Sequence, residues 1–377
     1  MAIGIFGGTF NPPHLGHLRL VRAFADRFAL TRVLIIPTFV PPHKASPDLA
    51  DAETRLEMCR LLFDDPRFFV SDLEIARGGK SYTVETLETL RRQYPDEPLY
   101  LLVGSDMLES FDTWYRADDI RAMCTVCAAV REKGRTLDAQ GAVLLEDYEP
   151  IEISSTAVRE KVRAGEDAVP YVGGEVAAFI ASHGLYADAY TVYRRLLRDK
   201  LGEYRLRHSF CVADSARELA ERYGADPEQA YLAGLLHDVM KDAPRETQLD
   251  MIARGGAVLT AAERCNPKLW HAMAGEAFLR TQLGFDDETL LRAVRYHTTG
   301  RAGMCLLEKI IYVADYMSAD RVYDGVERMR RLAAESLESA MLFGLSFTIS
   351  QLAIHEQPIH PDSVACYNEI LETGKDR

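Results

Sequence analysis

Two sets of residues in this chain have the types and the spacing to do chemistry. The first is the run Gly7-Gly8-Thr9-Phe10-Asn11-Pro12-Pro13-His14-Leu15-Gly16-His17-Leu18. Glycines let the main chain turn sharply and approach a phosphate, and a helix beginning behind them offers unpaired N–H groups and the positive end of its dipole. His14 and His17 are three residues apart, so both imidazoles can face one phosphate from the start of that helix. Such a set suits phosphoryl or nucleotidyl transfer, where positioning and charge neutralisation carry the catalysis and no protein nucleophile is required.

The second set is scattered. His208, His237-Asp238, His271, His297 and Asp315 are separated by 29, 34, 26 and 18 residues in turn. Asp238 follows closely on the apolar run Leu232-Ala233-Gly234-Leu235-Leu236, and Asp315 ends Ile310-Ile311-Tyr312-Val313-Ala314. A carboxylate at the end of a buried run is costly unless something pairs with it. Four histidines and two aspartates make a metal ion the natural partner, and a donor set of imidazole and carboxylate without thiolate favours Fe, Mn, Co or Mg over structural zinc.

The elements that position these residues differ between the halves. In the first, aliphatic and β-branched runs over residues 2–6, 32–37, 68–73, 99–103, 125–130 and 142–145 predict strands. Amphipathic stretches over 17–28, 52–63, 83–93, from 105 onward, 155–164 and 174–183 predict helices. This alternation, with runs apolar on both faces, implies a doubly wound parallel α/β sheet whose ligands lie beyond the carboxyl ends of the strands. After Asp188 the strand signals stop and the pattern is all-α, so a domain boundary is expected at 184–190, dividing the chain into residues 1–188 and 189–377.

The 377 residues suit two domains. A hydrophobic fraction of 47% and a charged fraction of 27% exclude a disordered scaffold. A net charge of −13 argues against a general nucleic-acid or anionic-membrane surface. Seven cysteines, an odd number without framework spacing, point to a reducing cytoplasm, and no secretory leader or membrane span is expected. Cys124 and Cys127 form a C-x-x-C inside a predicted buried strand, where side chains three apart face opposite ways. Self-association into a homo-oligomer is left open.

The first run closely resembles the H-x-G-H nucleotidyltransferase superfamily, which is Rossmann-like. Pro41-Pro42-His43-Lys44, the stretch from Leu73 to Leu87, Gly104-Ser105-Asp106, Trp114-Tyr115 and Ile153-Ser154-Ser155-Thr156-Ala157-Val158-Arg159 look, in order, like the nicotinate-nucleotide adenylyltransferases. That resemblance implies attack by the phosphate of nicotinate mononucleotide on the α-phosphorus of ATP, with pyrophosphate leaving together with Mg²⁺. It implies His14, His17, Lys44 and Arg159 as catalytic cations and donors. It also implies Gly7, Gly8, Thr9, Phe10, Gly104, Asp106, Ser154 and Ser155 on the ATP, with Asp106 reading the adenosine. Tyr82, Thr83 and Trp114 would bind the mononucleotide, Trp114 as a stacking face and Tyr82 and Thr83 mainly through main-chain N–H groups. Asn11 stands where that family usually carries Asp.

The second set resembles the HD-domain phosphohydrolases. Arg207-His208-Ser209, His237-Asp238-Val239-Met240-Lys241-Asp242, Leu269-Trp270-His271, Tyr296-His297-Thr298-Thr299-Gly300 and Ala314-Asp315-Tyr316 look like the branch that cleaves bis(5′-nucleosyl) tetraphosphates symmetrically. The resemblance implies two metal ions, iron, one on His208, His237, Asp238 and Asp315 and one on Asp238, His271 and His297. Its product would be two ADP from diadenosine tetraphosphate. Lys241, Asp242, Thr298 and Arg321 are candidates to orient ligands or bind phosphate. Two alternatives stand beside this reading: the same folds acting on other nucleotides, and a non-catalytic, nucleotide-sensing second half.

Overall fold

The computed structural model describes residues 2–41, 48–129, 139, 141–145 and 148–374. The chain divides into two compact units, Met1–Thr191 and Val192–Arg377.

In the first unit six strands, β1 (Ile3–Gly8), β2 (Arg32–Pro37), β3 (Phe68–Val70), β4 (Leu99–Gly104), β5 (Thr125–Ala129) and β6 (Val143–Leu145), form one sheet in the order β3-β2-β1-β4-β5-β6. Every neighbouring pair is parallel. Alternate side chains enter two cores. Phe6, Val33, Ile35, Leu102 and Cys127 join one, with the helices Leu15–Arg27, Ala52–Leu62 and Ser155–Arg163. Ile3, Ile5, Leu34, Ile36, Leu101 and Val126 join the other, with Thr83–Gln93 and Ala117–Met123. Burial on both faces is why these strands read as continuous apolar runs. Strand order reverses between β1 and β4, so the crevice beyond their carboxyl ends is the topological switch point of the sheet.

Local chemistry moves some expected boundaries. The strand expected over 68–73 ends at Val70, because Ser71 Oγ accepts from the Leu73 N–H (3.3 Å) and the helix Leu73–Arg77 begins there. Val130, the last residue of the expected fifth strand, lies outside the described residues. Cys127 enters one core and Cys124 packs on the other, and burial pushes each thiol up to about 12.

The described residues of the second unit form helices and turns only. The helix Glu203–Tyr223 packs against Pro227–Leu236 and Leu306–Met317, and Glu288–Tyr296 packs between Trp270–Gln282 and Leu306–Met317. Close approach of the first pair depends on Gly234: a Cβ there would stand 2.9 Å from the Ala213 Cα, which is main chain and cannot swing aside. The helix Leu337–Ile354, of 18 residues and mean hydropathy 1.4, is long and apolar enough to cross a membrane by length and composition alone. Its Leu337, Ala340, Met341, Gly344 and Leu345 are buried at three- and four-residue spacing, the pattern of a helix with one face packed on its neighbours.

Candidate active sites

The first site is built at the switch point. The main chain leaves β1 through Gly7 and Gly8, and His14 becomes the N-cap of Leu15–Arg27, whose first turn carries no acidic residue to cancel its positive end. The His14 N–H donates to His17 Nδ1 (3.1 Å). With Nδ1 an acceptor, a neutral His17 carries its proton on Nε2, as a donor turned away from the main chain. The two imidazoles stack with centroids 3.6 Å apart, and the Phe10 ring meets His17 edge-on at 5.1 Å. Gly16 makes the pair possible: a Cβ at that position would lie 3.0 Å from His14 Nδ1.

The strand-to-helix loop is fastened from several directions. Asn11 Nδ2 donates to the Asp48 carbonyl (2.9 Å), and its Oδ1 accepts from the Ala50 N–H (3.0 Å) and the Tyr186 hydroxyl (2.9 Å). An ionised aspartate could not donate to a carbonyl, so Asn11 serves here as a loop fastener. Arg159 Nη1 donates to the Asn11 carbonyl (2.8 Å) and Ser155 Oγ to the Pro12 carbonyl (2.9 Å), which joins the start of Ser155–Arg163 to the histidine loop. Ser154 caps that helix by accepting from the Ala157 N–H (3.1 Å), and again no acid occupies the first turn. Both serines are thus committed in part to the fold, and the helix start supplies main-chain donors.

Gly104 closes β4 and Asp106 follows in the helix Ser105–Glu109, exposed, at the same carboxyl edge as the histidine loop. Tyr82 caps Thr83–Gln93 with its ring 5.0 Å from that of Tyr115; Trp114 lies 4.9 Å from Phe111, and Tyr82 and Trp114 both pack partly on the second core. The Tyr82 N–H donates back to the Lys80 carbonyl (3.2 Å), and Thr83, first in its helix, has an N–H without an intrahelical acceptor. Lys44 lies outside the described residues.

Arg55 was not anticipated from sequence. It is 1% exposed and donates to three carbonyls, Ala50 (2.9 Å), Thr9 (2.7 Å) and Phe39 (3.0 Å), tying the loops after β1 and β2 together. Its place on the apolar stripe with Met58, Cys59 and Leu62 was the available signal.

The second site lies where five helical segments meet. His208 comes from Glu203–Tyr223, His237 and Asp238 from the end of Pro227–Leu236, His271 from Trp270–Gln282, His297 from the end of Glu288–Tyr296, and Asp315 from Leu306–Met317. All four histidines and Asp238 are at most 2% exposed. Asp238 Oδ1 lies 3.2 Å from His271 Nε2 and 3.4 Å from His297 Nε2, while Asp315 Oδ1 lies 2.9 Å from His208 Nε2. Donor atoms of His208, His237 and Asp315, and of His237, Asp238 and His297, form two groups each within 4.8 Å.

Outer partners orient each ring. His237 Nδ1 faces the Gly234 carbonyl and His297 Nδ1 the Val294 carbonyl, both at 2.7 Å, leaving Nε2 as the inward lone pair. His208 Nδ1 faces Asp320 Oδ2 (2.9 Å), and Asp320 also accepts from Ser318 Oγ (2.7 Å). Asp320 was missed because it stands in a turn beyond the helix, with no periodic signal. Burial holds His237 down to about 4 and lowers His271, so both are neutral near pH 7 and able to ligate. Burial alone would raise Asp238 and Asp315. For Asp238 the surrounding His237, His271, His297 and Lys241 outweigh it; for Asp315, His208 and Arg321 do. Both carboxyls lie well below the usual range.

Of the expected accessory residues, Lys241 reaches His271 Nε2 (3.0 Å) and Asp238 (3.5 Å), and Arg321 pairs with Asp315 and lies 3.2 Å from His208 Nε2. Arg205, not anticipated, stands 3.6 Å from Asp238 Oδ2. Thr298 Oγ1 is buried without a partner among the described residues. Asp242 instead accepts from the Gly202 N–H (2.9 Å), which fastens the start of the His208 helix. The donor set fits a metal: His237 Nε2 is sealed from solvent with no hydrogen-bond partner among the described residues, an arrangement costly for a buried lone pair unless a cation takes it.

The crevice at the parallel-sheet switch point and the histidine–aspartate cage in the helical unit are the two candidate sites of the chain. The cytidylyltransferase-like family matches residues 5–161 and the HD domain family residues 205–320. The symmetrical bis(5′-nucleosyl)-tetraphosphatase of Bacillus subtilis (strain 168) is 41% identical over 175 residues, 46% of this chain and 94% of that protein. A probable nicotinate-nucleotide adenylyltransferase of Lactiplantibacillus plantarum is 38% identical over 185 residues, 49% of this chain and 87% of that protein. The nicotinate-nucleotide adenylyltransferase of Bacillus subtilis (strain 168) is 32% identical over 185 residues, 49% and 97%. The chain therefore belongs to the nicotinate-nucleotide adenylyltransferase family through its cytidylyltransferase-like part and to the symmetrical bis(5′-nucleosyl)-tetraphosphatase family through its HD part.

Proposed function

We propose that one cytoplasmic chain carries both activities: residues 1–188 as an adenylyltransferase domain that joins ATP and nicotinate mononucleotide into deamido-NAD and pyrophosphate, and residues 189–377 as a hydrolase domain that cleaves diadenosine tetraphosphate into two ADP. The observation that carries the first is the stacked His14–His17 pair at the switch point. The His17 Nε2–H and the N–H groups at the start of Leu15–Arg27 stabilise charge on the α-phosphate as the mononucleotide phosphate attacks. Arg159 and Lys44 add fixed positive charge, and the start of Ser155–Arg163 takes the departing pyrophosphate, which leaves with Mg²⁺. Asp106 reads the adenosine, and Tyr82, Thr83 and Trp114 take the nicotinate end.

The observation that carries the second is the sealed, oriented cage. Two metal ions, assigned as iron, would be held by His208, His237, Asp238 and Asp315, and by Asp238, His271 and His297. Bound there, they would lower the pKa of water and take up charge on the phosphate oxygens. The Gly234 and Val294 carbonyls and Asp320 hold the imidazoles in register, Lys241 and Arg205 offset the charge of Asp238, and Arg321 faces the incoming phosphates. The test is metal analysis of the purified chain followed by assay with diadenosine tetraphosphate. Bound metal with two ADP per dinucleotide is expected; metal-free protein without turnover would favour the sensing alternative.

A further inference from the structure

A cavity of about 250 Å³ opens beside Asp315, lined by Asp315, Tyr316, Arg321, Tyr323 and Phe347. It shares Asp315 with the cage, and three of its five walls are aromatic. Their hydroxyls are already used: Tyr316 Oη pairs with Thr348 Oγ1 (2.8 Å) and Tyr323 Oη donates to the Tyr316 carbonyl (2.9 Å). The two tyrosines therefore offer ring surfaces, not polar tips, beside the charged Asp315 and Arg321. Phe347 completes it from the helix Leu337–Ile354 and is 50% exposed, a large apolar side chain at the rim of an otherwise charged site. Arg321 stands between the two regions, with Nε on the Asp315 carbonyl (2.8 Å) and Nη2 toward Asp315 and His208.

We propose that this cavity is a stacking pocket for one nucleobase of the substrate, with Phe347 as its principal face. The proposal rests on the hydrolase reading of the same unit, which places polyphosphate at the cage. A ligand held there by its phosphates and carrying an aromatic group one sugar away brings a π-face to these rings. The volume limits how much enters: at about 250 Å³ it lies below the roughly 300 Å³ at which pockets for drug-sized ligands begin, which is room for one base and not for two nucleosides. Recognition by ring faces is also tolerant of base identity, because every base has a π-face. The pocket reads aromaticity, and adenine and guanine are held alike.

The test compares ADP, GDP and inorganic pyrophosphate as inhibitors of diadenosine tetraphosphate hydrolysis by the full-length, metal-loaded chain. ADP and GDP should inhibit with similar constants, and Phe347→Ala should weaken both by about ten-fold while pyrophosphate changes by less than about two-fold. Phe347→Trp should restore nucleotide inhibition. Unchanged ADP inhibition in Phe347→Ala, or an equal loss for ADP and pyrophosphate, would overturn the pocket while leaving the hydrolase reading in place. Absence of turnover by the unaltered chain would overturn both, because the pocket is argued from phosphates held at the cage.

Discussion

The two candidate sites would handle anions by opposite means. In the first unit the donors are largely main-chain N–H groups at two helix starts, supplemented by a histidine pair whose members are neighbours in sequence. In the second unit every proposed ligand is a side chain, the six come from five segments, and the histidines and Asp238 are sealed from water. A main-chain site depends on loop shape, so its critical supports are residues such as Asn11 and Arg55 that never need touch substrate. A side-chain cage depends on burial and on outer partners, so its critical supports are Gly234 and Asp320. A chain of net charge −13 would thus meet an anion by two independent routes, main-chain donors in one unit and cations held by the cage in the other.

The sharpest contrast comes from removing a donor. His17→Ala should lower adenylyl transfer by about 10²–10³ in kcat, the usual loss for a preorganised donor, without changing dinucleotide hydrolysis. Steady-state kinetics with both substrates checks this, and an equal fall in both activities would break the separation. Next, Asp320→Asn should cost about 10–100-fold in metal affinity or hydrolytic rate, because His208 loses the carboxylate that sets its tautomer. Metal titration of the variant measures it, and wild-type affinity would remove Asp320 from the account.

Smaller effects concern packing. Gly234→Ala forces a Cβ against main chain and should destabilise the helical unit by about 1–3 kcal/mol, visible in thermal unfolding with the α/β unit unaffected. Smallest is Glu74→Gln. Burial pushes the Glu74 carboxyl up, partly offset by the Thr86 hydroxyl, which donates at 2.6 Å. A raised folded-state pKa means stability fully present below the ordinary glutamate range and lost as pH rises through the folded value. The amide should therefore raise Tm of the first unit by about 2–4 °C at pH 8 and leave it unchanged at pH 4. A lower Tm at pH 8 would show that the ionised carboxylate is needed.

The same contrast explains what could be read beforehand. The sheet and the His14–His17 loop follow from contiguous sequence, since apolar runs set strands and one twelve-residue stretch carries the turn, cap and imidazoles. The cage residues were legible by type because carboxylates seldom end buried runs. Their outer partners were not: Asp320 is one of 57 acidic residues, and only the turn after Leu306–Met317 brings it to His208. Asp242 shows the same limit: the Gly202 N–H it accepts from lies forty residues away in sequence, and only the fold brings the two together. The helix Leu337–Ile354 buries one face of its first half and turns Phe347 to the cavity at Asp315.

The central claim is that one chain runs two nucleotide reactions at two separate sites. Chromatographic product analysis of the chain and its His14→Ala and His237→Ala variants, each given ATP with nicotinate mononucleotide and, separately, diadenosine tetraphosphate, tests it most directly. The account predicts deamido-NAD and two ADP from the unaltered chain, loss of deamido-NAD alone from His14→Ala, and loss of ADP formation alone from His237→Ala. Loss of both products in either variant, or formation of either product by a chain lacking its assigned histidine, would contradict it.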